Sequence, residues 1–317
     1  MSDDDFRRPA ETAIQQCLGL EAEESCLIVT DDRRRPIAEA LYAAASETTD
    51  DAMILQYPPG EQHGAEPPTT VATAMASADV VLAPTTKSLS HTRARTEAND
   101  AGARVATLPG ITDDVFTTGL NVDYAEIQDH SEAMHERVAD ADEIRVTSEQ
   151  GTDIRLQPGD REWQLDTGIV HDAGEMSNLP AGEVFISPAT ATGTIVVTGT
   201  MAPHGRLSDE QAVRIAVEDG SVTEIDDETI RGQVEEAAAE VGDDAYNLAE
   251  FGIGTNVGVR QLVGSVLLDE KAGGTVHFAI GDDAGFGGDT SAPIHLDGIL
   301  QDPTVAVDGE EITLPTP

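Results

Sequence analysis

Lysine is almost missing from this chain. Of 18 basic residues in 317, only Lys87 and Lys271 are lysines. Aromatic residues make up 3%, with a single Trp, and cysteine occurs only at positions 17 and 26. Each scarcity excludes something. Two cysteines close together near one end do not make a disulfide framework, and they suit a reducing compartment. No apolar run approaches the length needed to span a bilayer. The first residues, MSDDDFRRPAETAIQQ, lack the apolar core of a secretory signal. The scarcity of positive charge argues against nucleic acid and anionic membrane as partners. A cytoplasmic location is therefore expected.

What is abundant is carboxylate. Sixty acidic residues leave a formal net charge of −42, and they are spread along the chain rather than gathered in a tail. Such a surface repels itself in dilute buffer. At about 1 M salt the screening length falls to about 3 Å and the repulsion largely vanishes. With scarce Lys and few large aromatics, this is the composition expected of a protein from an extreme halophile. A nucleic-acid mimic would be as acidic, but it would not need the glycine-rich, His-bearing C-terminal third. Hydrophobic residues, at 39%, suffice for a sizeable core.

The N-terminal part alternates strand and helix patterns. ESCLIVTDD reads as a buried strand, RPIAEALYAAASE as a helix and DAMILQYP as a second strand. TVATAMASA, DVVLAPT, HTRARTEANDAG and ARVATLPG continue the alternation. Strands separated by helices of this length predict a parallel sheet covered on both faces. No G-x-G-x-x-G follows the first strand, so a dinucleotide fingerprint is absent. In APTTKSLSHTRAR, Ser88, Ser90, His91 and Thr92 follow a strand's C-terminal end, where open α/β sheets bind ligands. The simpler reading is that Ser90 or Thr92 caps the next helix.

DYAEIQDHSEAMHERVADA reads as a linking helix with His130 and His135 on its surface. After it the period changes. EIRVTSEQGTDIRLQP and AVRIAVEDGSVTEI alternate as antiparallel strands around turns at Glu149-Gln150-Gly151 and Asp219-Gly220, and one helix, ETIRGQVEEAAAEVG, interrupts them. The expected architecture is an α/β N-terminal domain with a parallel sheet over residues 1–140. A β-rich α+β C-terminal metal-binding domain follows over 141–317.

Four segments of the second part place acids and imidazoles among apolar or glycine-rich neighbours. NLPAGEVFISP carries Glu183 and NLAEFGIGTN carries Glu250. LLDEKAGGTVHFAIGDD carries Glu270 and His277, and SAPIHLDGIL carries His295 and Asp297. Buried carboxylates are costly unless paired or bound to a cation. Arg260 and Lys271 are the obvious nearby cations, too few for four carboxylates, so divalent metal is expected to make up the balance. In the last segment His295 and Asp297 stand two apart. On a strand they share one face, as two ligands of one ion would. Mixed carboxylate and imidazole ligation suits Zn, Co or Mn, or Fe, rather than Ca. For an isolated pair, a core His bonded to a neighbouring Asp is the plainer explanation.

Together these ordered segments resemble the thermophilic metallo-aminopeptidases of the aminopeptidase T and aminopeptidase S type, a family that also includes 2,5-dihydroxypyridine dioxygenase. The resemblance is strongest over residues 178–310. It implies a two-domain homodimer that binds two divalent ions (Zn, Co, Mn or Mg) through Glu183, Glu250, Glu270, His277, His295 and Asp297, and that acts on a peptide substrate as a metal-dependent aminopeptidase. Glu183 and Glu250 are the candidate catalytic carboxylates. Two departures stand out. The interval from Glu270 to His277 is two residues longer than in the family, and the Tyr that peptidase members carry seven residues after that His is Ala284 here. The alternatives are a mononuclear Fe(II) dioxygenase using His277, His295 and Asp297, and a non-hydrolytic metal-binding homologue. Scarce aromatics and the surplus glutamates weigh against the dioxygenase.

Overall fold

The computed structural model describes residues 3–317. The chain divides into two compact units: residues 1–128 with 167–181, and residues 129–166 with 182–317. The boundary expected between 140 and 141 thus falls earlier, within a helix, and the first unit takes back a later segment.

In the first unit the helices are α1 (Asp3–Glu11), α2 (Arg35–Ser46), α3 (Thr69–Met75), α4 (Arg93–Asp100) and α5 (Asp113–Gly119), followed by α6 (Tyr124–Val138), which crosses the boundary. Between them lie β1 (Cys26–Thr30), β2 (Ala52–Gln56), β3 (Val80–Thr85) and β4 (Arg104–Pro109). The predicted alternation forms as expected, and every pairing in this sheet is parallel. One side of the sheet is covered by α3 and α4, whose Val71, Met75, Ala94 and Ala98 pack against Leu27, Val29, Val81 and Val105. Thr92 caps α4, its side chain accepting from the Arg95 N–H. Ser90 instead bonds Thr107 and Asn178 at 2.8 Å each. Cys17 and Cys26 are both buried.

Four short strands follow: β5 (Ile144–Thr147), β6 (Asp153–Gln157), β7 (Gln164–Asp166) and β8 (Met176–Asn178). β8 returns to the first unit, pairs parallel with β4 and completes the order β2-β1-β3-β4-β8. The rest of the second unit comprises β9 (Glu183–Ile186), β10 (Thr190–Val197), β11 (Thr200–Met201), β12 (Gly205–Arg206), β13 (Val213–Glu218) and β14 (Ser221–Ile225). After α7 (Glu228–Val241) come β15 (Leu248–Gly254), α8 (Val266–Asp269), β16 (Val276–Gly281), β17 (His295–Leu300), β18 (Thr304–Val307) and β19 (Glu310–Ile312). They form two seven-stranded sheets, β14-β13-β10-β6-β5-β18-β19 and β12-β11-β17-β16-β15-β9-β7. Their named pairings are antiparallel. One core joins both, with Ile154, Ile195 and Ile215 from the first and Val184, Phe251 and Phe278 from the second. The expected Asp219-Gly220 turn closes β13 to β14, both residues with positive φ (51° and 82°). His130 and His135, expected at the surface, are half-buried. Among the described residues no helix is long and apolar enough to cross a membrane.

Candidate metal centre

The centre is built on one face of the second antiparallel sheet, and the local sequences show why. In β15 and β16 large apolar residues alternate with small or polar ones. Phe251, Ile253, Val276, Phe278 and Ile280 point into the core. Residues two apart share a face, so Glu250, Gly252 and Gly254 lie on the opposite face of β15, and His277, Ala279 and Gly281 on that of β16. The register aligns Phe185 with Gly252, Gly252 with His277, Glu250 with Ala279, and Ala279 with Asp297. A register shift between Leu248 and Glu250 turns Leu248 to the core and Glu250 to the site. Irregularities of this kind recur beside functional sites because they re-aim a side chain. Gly252 is obligatory in this arrangement: a Cβ there would lie 2.1 Å from His277 Cε1.

On this face two imidazoles flank one carboxylate. Glu250 Oε1 lies 3.0 Å from His277 Nε2, and Glu250 Oε2 lies 3.2 Å from His295 Nε2. Glu183 Oε2 lies 3.6 Å from His277 Nε2, and Asp297 Oδ1 lies 3.3 Å from His295 Nε2. Two sets of ligand atoms result, Glu183–Glu250–His277 and Glu250–His295–Asp297, the atoms of each within 4.8 Å of one another. Five of the six residues singled out in the sequence therefore converge, with Glu250 common to both sets. His277 is enclosed, its side chain 1% exposed, whereas His295 is 32% exposed and marks the open side. His295 Nδ1 donates to the Asp282 carbonyl at 2.8 Å. That bond presents Nε2 to the site and selects the tautomer able to ligate.

Glu270 lies outside both sets. Its neighbour Lys271 is buried and pairs with Glu270 at 2.8 Å and with Glu183 Oε1 in a closer contact. Adjacent residues at the end of α8 thus supply an internal ion pair, which the sequence did not reveal. Asp269, just before them, is tied down by Thr200 Oγ1 and the Val263 and Gly264 amides at 2.6–2.8 Å. This anchors the segment that delivers Lys271. Arg260, the other cation considered, takes no part in these pairs.

The titration behaviour follows from crowding. Burial drives the Glu183 carboxyl up to about 8 against the pull of Lys271 and His277. Burial raises Glu270 as well, with Lys271 opposing. At Glu250 burial also pushes upward, but hydrogen bonds from His277 and His295 win and hold it below the usual carboxylate range. Burial disfavours the His277 imidazolium, yet Glu250 lifts its pKa to about 9, and Asp297 and Glu250 lift His295 well above the usual imidazole value. Protons held on the imidazoles and on the raised Glu183 and Glu270 carboxyls answer the crowding of four acids that a single ammonium cannot balance. Glu183 Oε2 is buried without a hydrogen-bond partner. An unpaired carboxylate oxygen facing an imidazole and a second carboxylate is what a cation would satisfy. The donor set, oxygens plus imidazole without thiolate, suits a borderline divalent metal.

These features define a class, a protein with an α/β unit, a β-rich unit and a candidate metal centre on one sheet face. A family model described as 2,5-dihydroxypyridine 5,6-dioxygenase (NicX) matches residues 8–315, and the chain belongs to that enzyme family. Among solved structures, it is similar to 2,5-dihydroxypyridine dioxygenase from Pseudomonas putida KT2440, at 18% identity and a TM-score of 0.78, with 99% of this chain and 97% of that one covered. It is also similar to wild-type AmpT from Thermus thermophilus, at 17% identity and a TM-score of 0.65, with 98% and 99% covered. At these identities the likeness is one of fold. No curated protein matches the sequence.

Proposed function

We propose that this chain is a dinuclear metal-dependent hydrolase that releases N-terminal residues from peptides. The observation that carries the reading is the pair of ligand sets sharing Glu250, each of whose oxygens faces a different imidazole. Two divalent ions bound there would supply Lewis acidity and an acidified water. The chain's own residues do the rest. Glu183 and His277 hold the enclosed side, and His295 and Asp297 hold the open side. Lys271 keeps the Glu183 carboxylate in place through Oε1 and leaves Oε2 for the site. Glu270, outside both sets and with its pKa raised by burial, takes the role of the carboxylate that accepts a proton from water and returns it to the departing amine. Glu250, with both oxygens committed, is poorly suited to that task. Ala284 is exposed where the resemblance expects Tyr, and Asp283 nearby is occupied as an acceptor. Turnover is therefore expected to be slow.

A second reading, a mononuclear Fe(II) ring-cleaving dioxygenase, is favoured by the family match itself. The surplus glutamate charge and the scarcity of aromatics both have local answers in the fold. Lys271 offsets part of the glutamate charge, and Phe286 lies against His295. Against it, His277 belongs to one ligand set while His295 and Asp297 belong to the other. Metal content per chain, measured with peptide hydrolysis and with oxygen uptake on dihydroxypyridines, separates the two. Two ions and peptide release support the hydrolase. One iron and oxygen uptake would replace it with the dioxygenase. The peptide substrate, the homodimer, the cytoplasmic location and the absence of nucleic-acid and membrane partners belong to this proposal, and light scattering in 2–3 M KCl tests the dimer.

A further inference from the structure

We propose that Phe185 and Phe286 form the wall that receives an aromatic side chain on the substrate's N-terminal residue; this rests on the hydrolase reading. The chain has six phenylalanines. Phe6, Phe116, Phe251 and Phe278 are buried in the core. The two half-buried ones meet each other beside the ligand sets. Phe185 lies two residues beyond Glu183 on β9 and so shares its face, opposite Gly252 and in line with His277. Phe286 stands edge-on to Phe185, with centroids 5.6 Å apart and planes at 70°, and edge-on to His295 at 5.7 Å and 88°. The rings run from the enclosed side of the centre to its open side.

The loop that carries Phe286 is held in place. Asp283 at its base accepts from Ser187 Oγ at 2.8 Å, Asn247 Nδ2 at 2.9 Å and the Thr290 amide at 2.7 Å. Arg161 donates to the Gly287 carbonyl and pairs with Asp289 at 3.0 Å. Gly288 lets the turn close on Asp283, whose carboxyl carbon a Cβ there would meet at 1.8 Å. Ala284 and Gly285, small and exposed, leave the approach past Phe286 open. An uncharged aromatic corner in a chain with a net charge of −42 selects by apolar area and ring geometry. Rings set edge-to-face gain beyond simple burial, so an aromatic residue should exceed Leu by about three- to tenfold. It should exceed Ala by about tenfold to a hundredfold.

The test uses the metal-loaded full chain in 3 M KCl, with peptides beginning in Phe, Tyr, Leu, Ala or Asp, and binding of the hydroxamates of phenylalanine, leucine and alanine by calorimetry. The expected wild-type order is Phe and Tyr, then Leu, then Ala, with Asp last. Phe286→Leu and Phe185→Leu keep apolar bulk and should abolish the aromatic advantage, read as the ratio of Phe to Leu substrates within each variant. Hydrolysis with no aromatic preference, or with a preference both variants retain, overturns the wall and leaves the hydrolase reading intact. Absence of hydrolysis, together with an aromatic hydroxamate preference that the variants lose, removes the hydrolase reading and sustains the wall. No preference in either assay overturns the wall.

Discussion

Replacing Gly252 with Ala adds one methyl group at the centre of β15, and the structure says where it goes. The new Cβ would sit 2.1 Å from His277 Cε1 and 2.2 Å from Nε2. Non-bonded carbons are comfortable at about 3.5–4.0 Å, so the ring must retreat by roughly 1.5 Å. His277 is 1% exposed and has nowhere open to go. Overpacking of this kind costs about 1–3 kcal/mol. The larger effect falls on the ligand set. A shift of that size breaks the 3.0 Å approach of Nε2 to Glu250, and displacing a working group by about 1 Å costs about a hundredfold. Glu250, His295 and Asp297 stay put. Calorimetric titration with Mn or Zn should therefore show two tight sites in the wild type and one in Gly252→Ala. Gly232→Ala is the control: at this exposed position of α7 a Cβ meets nothing within 4 Å, and it should stabilise by about 0.5–1 kcal/mol with binding unchanged. Unaltered stoichiometry and affinity in Gly252→Ala would refute the placement of His277 as a ligand.

Four further outcomes are expected. Metal-free protein should melt at lower temperature as pH rises from 6.5 through about 9, because His277, raised to about 9, and Glu183, raised to about 8, both bind protons more tightly when folded. Metal binding at pH 7 should release protons, and calorimetry in buffers of different ionisation enthalpy that shows none would contradict this. Glu24→Gln loosens the paired contacts of Glu24 with Arg104 at 2.8 and 2.7 Å. It should cost about 1–3 kcal/mol at pH 7. Because Arg104 holds the Glu24 pKa down, the deficit should shrink as pH falls below about 4.5, and denaturant melts showing a constant gap would count against it. The net charge of −42 should make the melting temperature climb steeply between 0.1 and 3 M KCl, and a flat profile would dismiss the salt adaptation.

Much of the first unit was legible because its strands and helices carry strong periods of their own. β8 was not, since Met176–Asn178 is three residues long and takes its identity from pairing with β4. At the site, the shared face of His295 and Asp297, 3.3 Å apart in the fold, was legible because a spacing of two has one meaning on a strand. Glu250, Gly252 and Gly254 opposite Phe251 and Ile253 carried the same signal, small on one face and large on the other. Glu270 could not be placed that way. It ends a four-residue helix, where neighbours point in different directions, and its partner Lys271 was equally compatible with solvent. Phe286 lies on an irregular loop, so its meeting with Phe185 depends on three-dimensional closure that no local pattern encodes.

The return of residues 167–181 to the first unit has a consequence for how the chain comes into being. During synthesis the parallel sheet stays one strand short until β8 emerges, by which time β5, β6 and β7 already exist. Until then the outer edge of β4 is unpaired, and Ser90 and Thr107 lack the Asn178 oxygen that both bond in the finished fold. A fragment cut after residue 140 would present that bare edge permanently, and open edges recruit other strands. The first unit is thus finished only by a stretch of chain that follows the opening strands of the second in sequence, and the two should mature together rather than in succession.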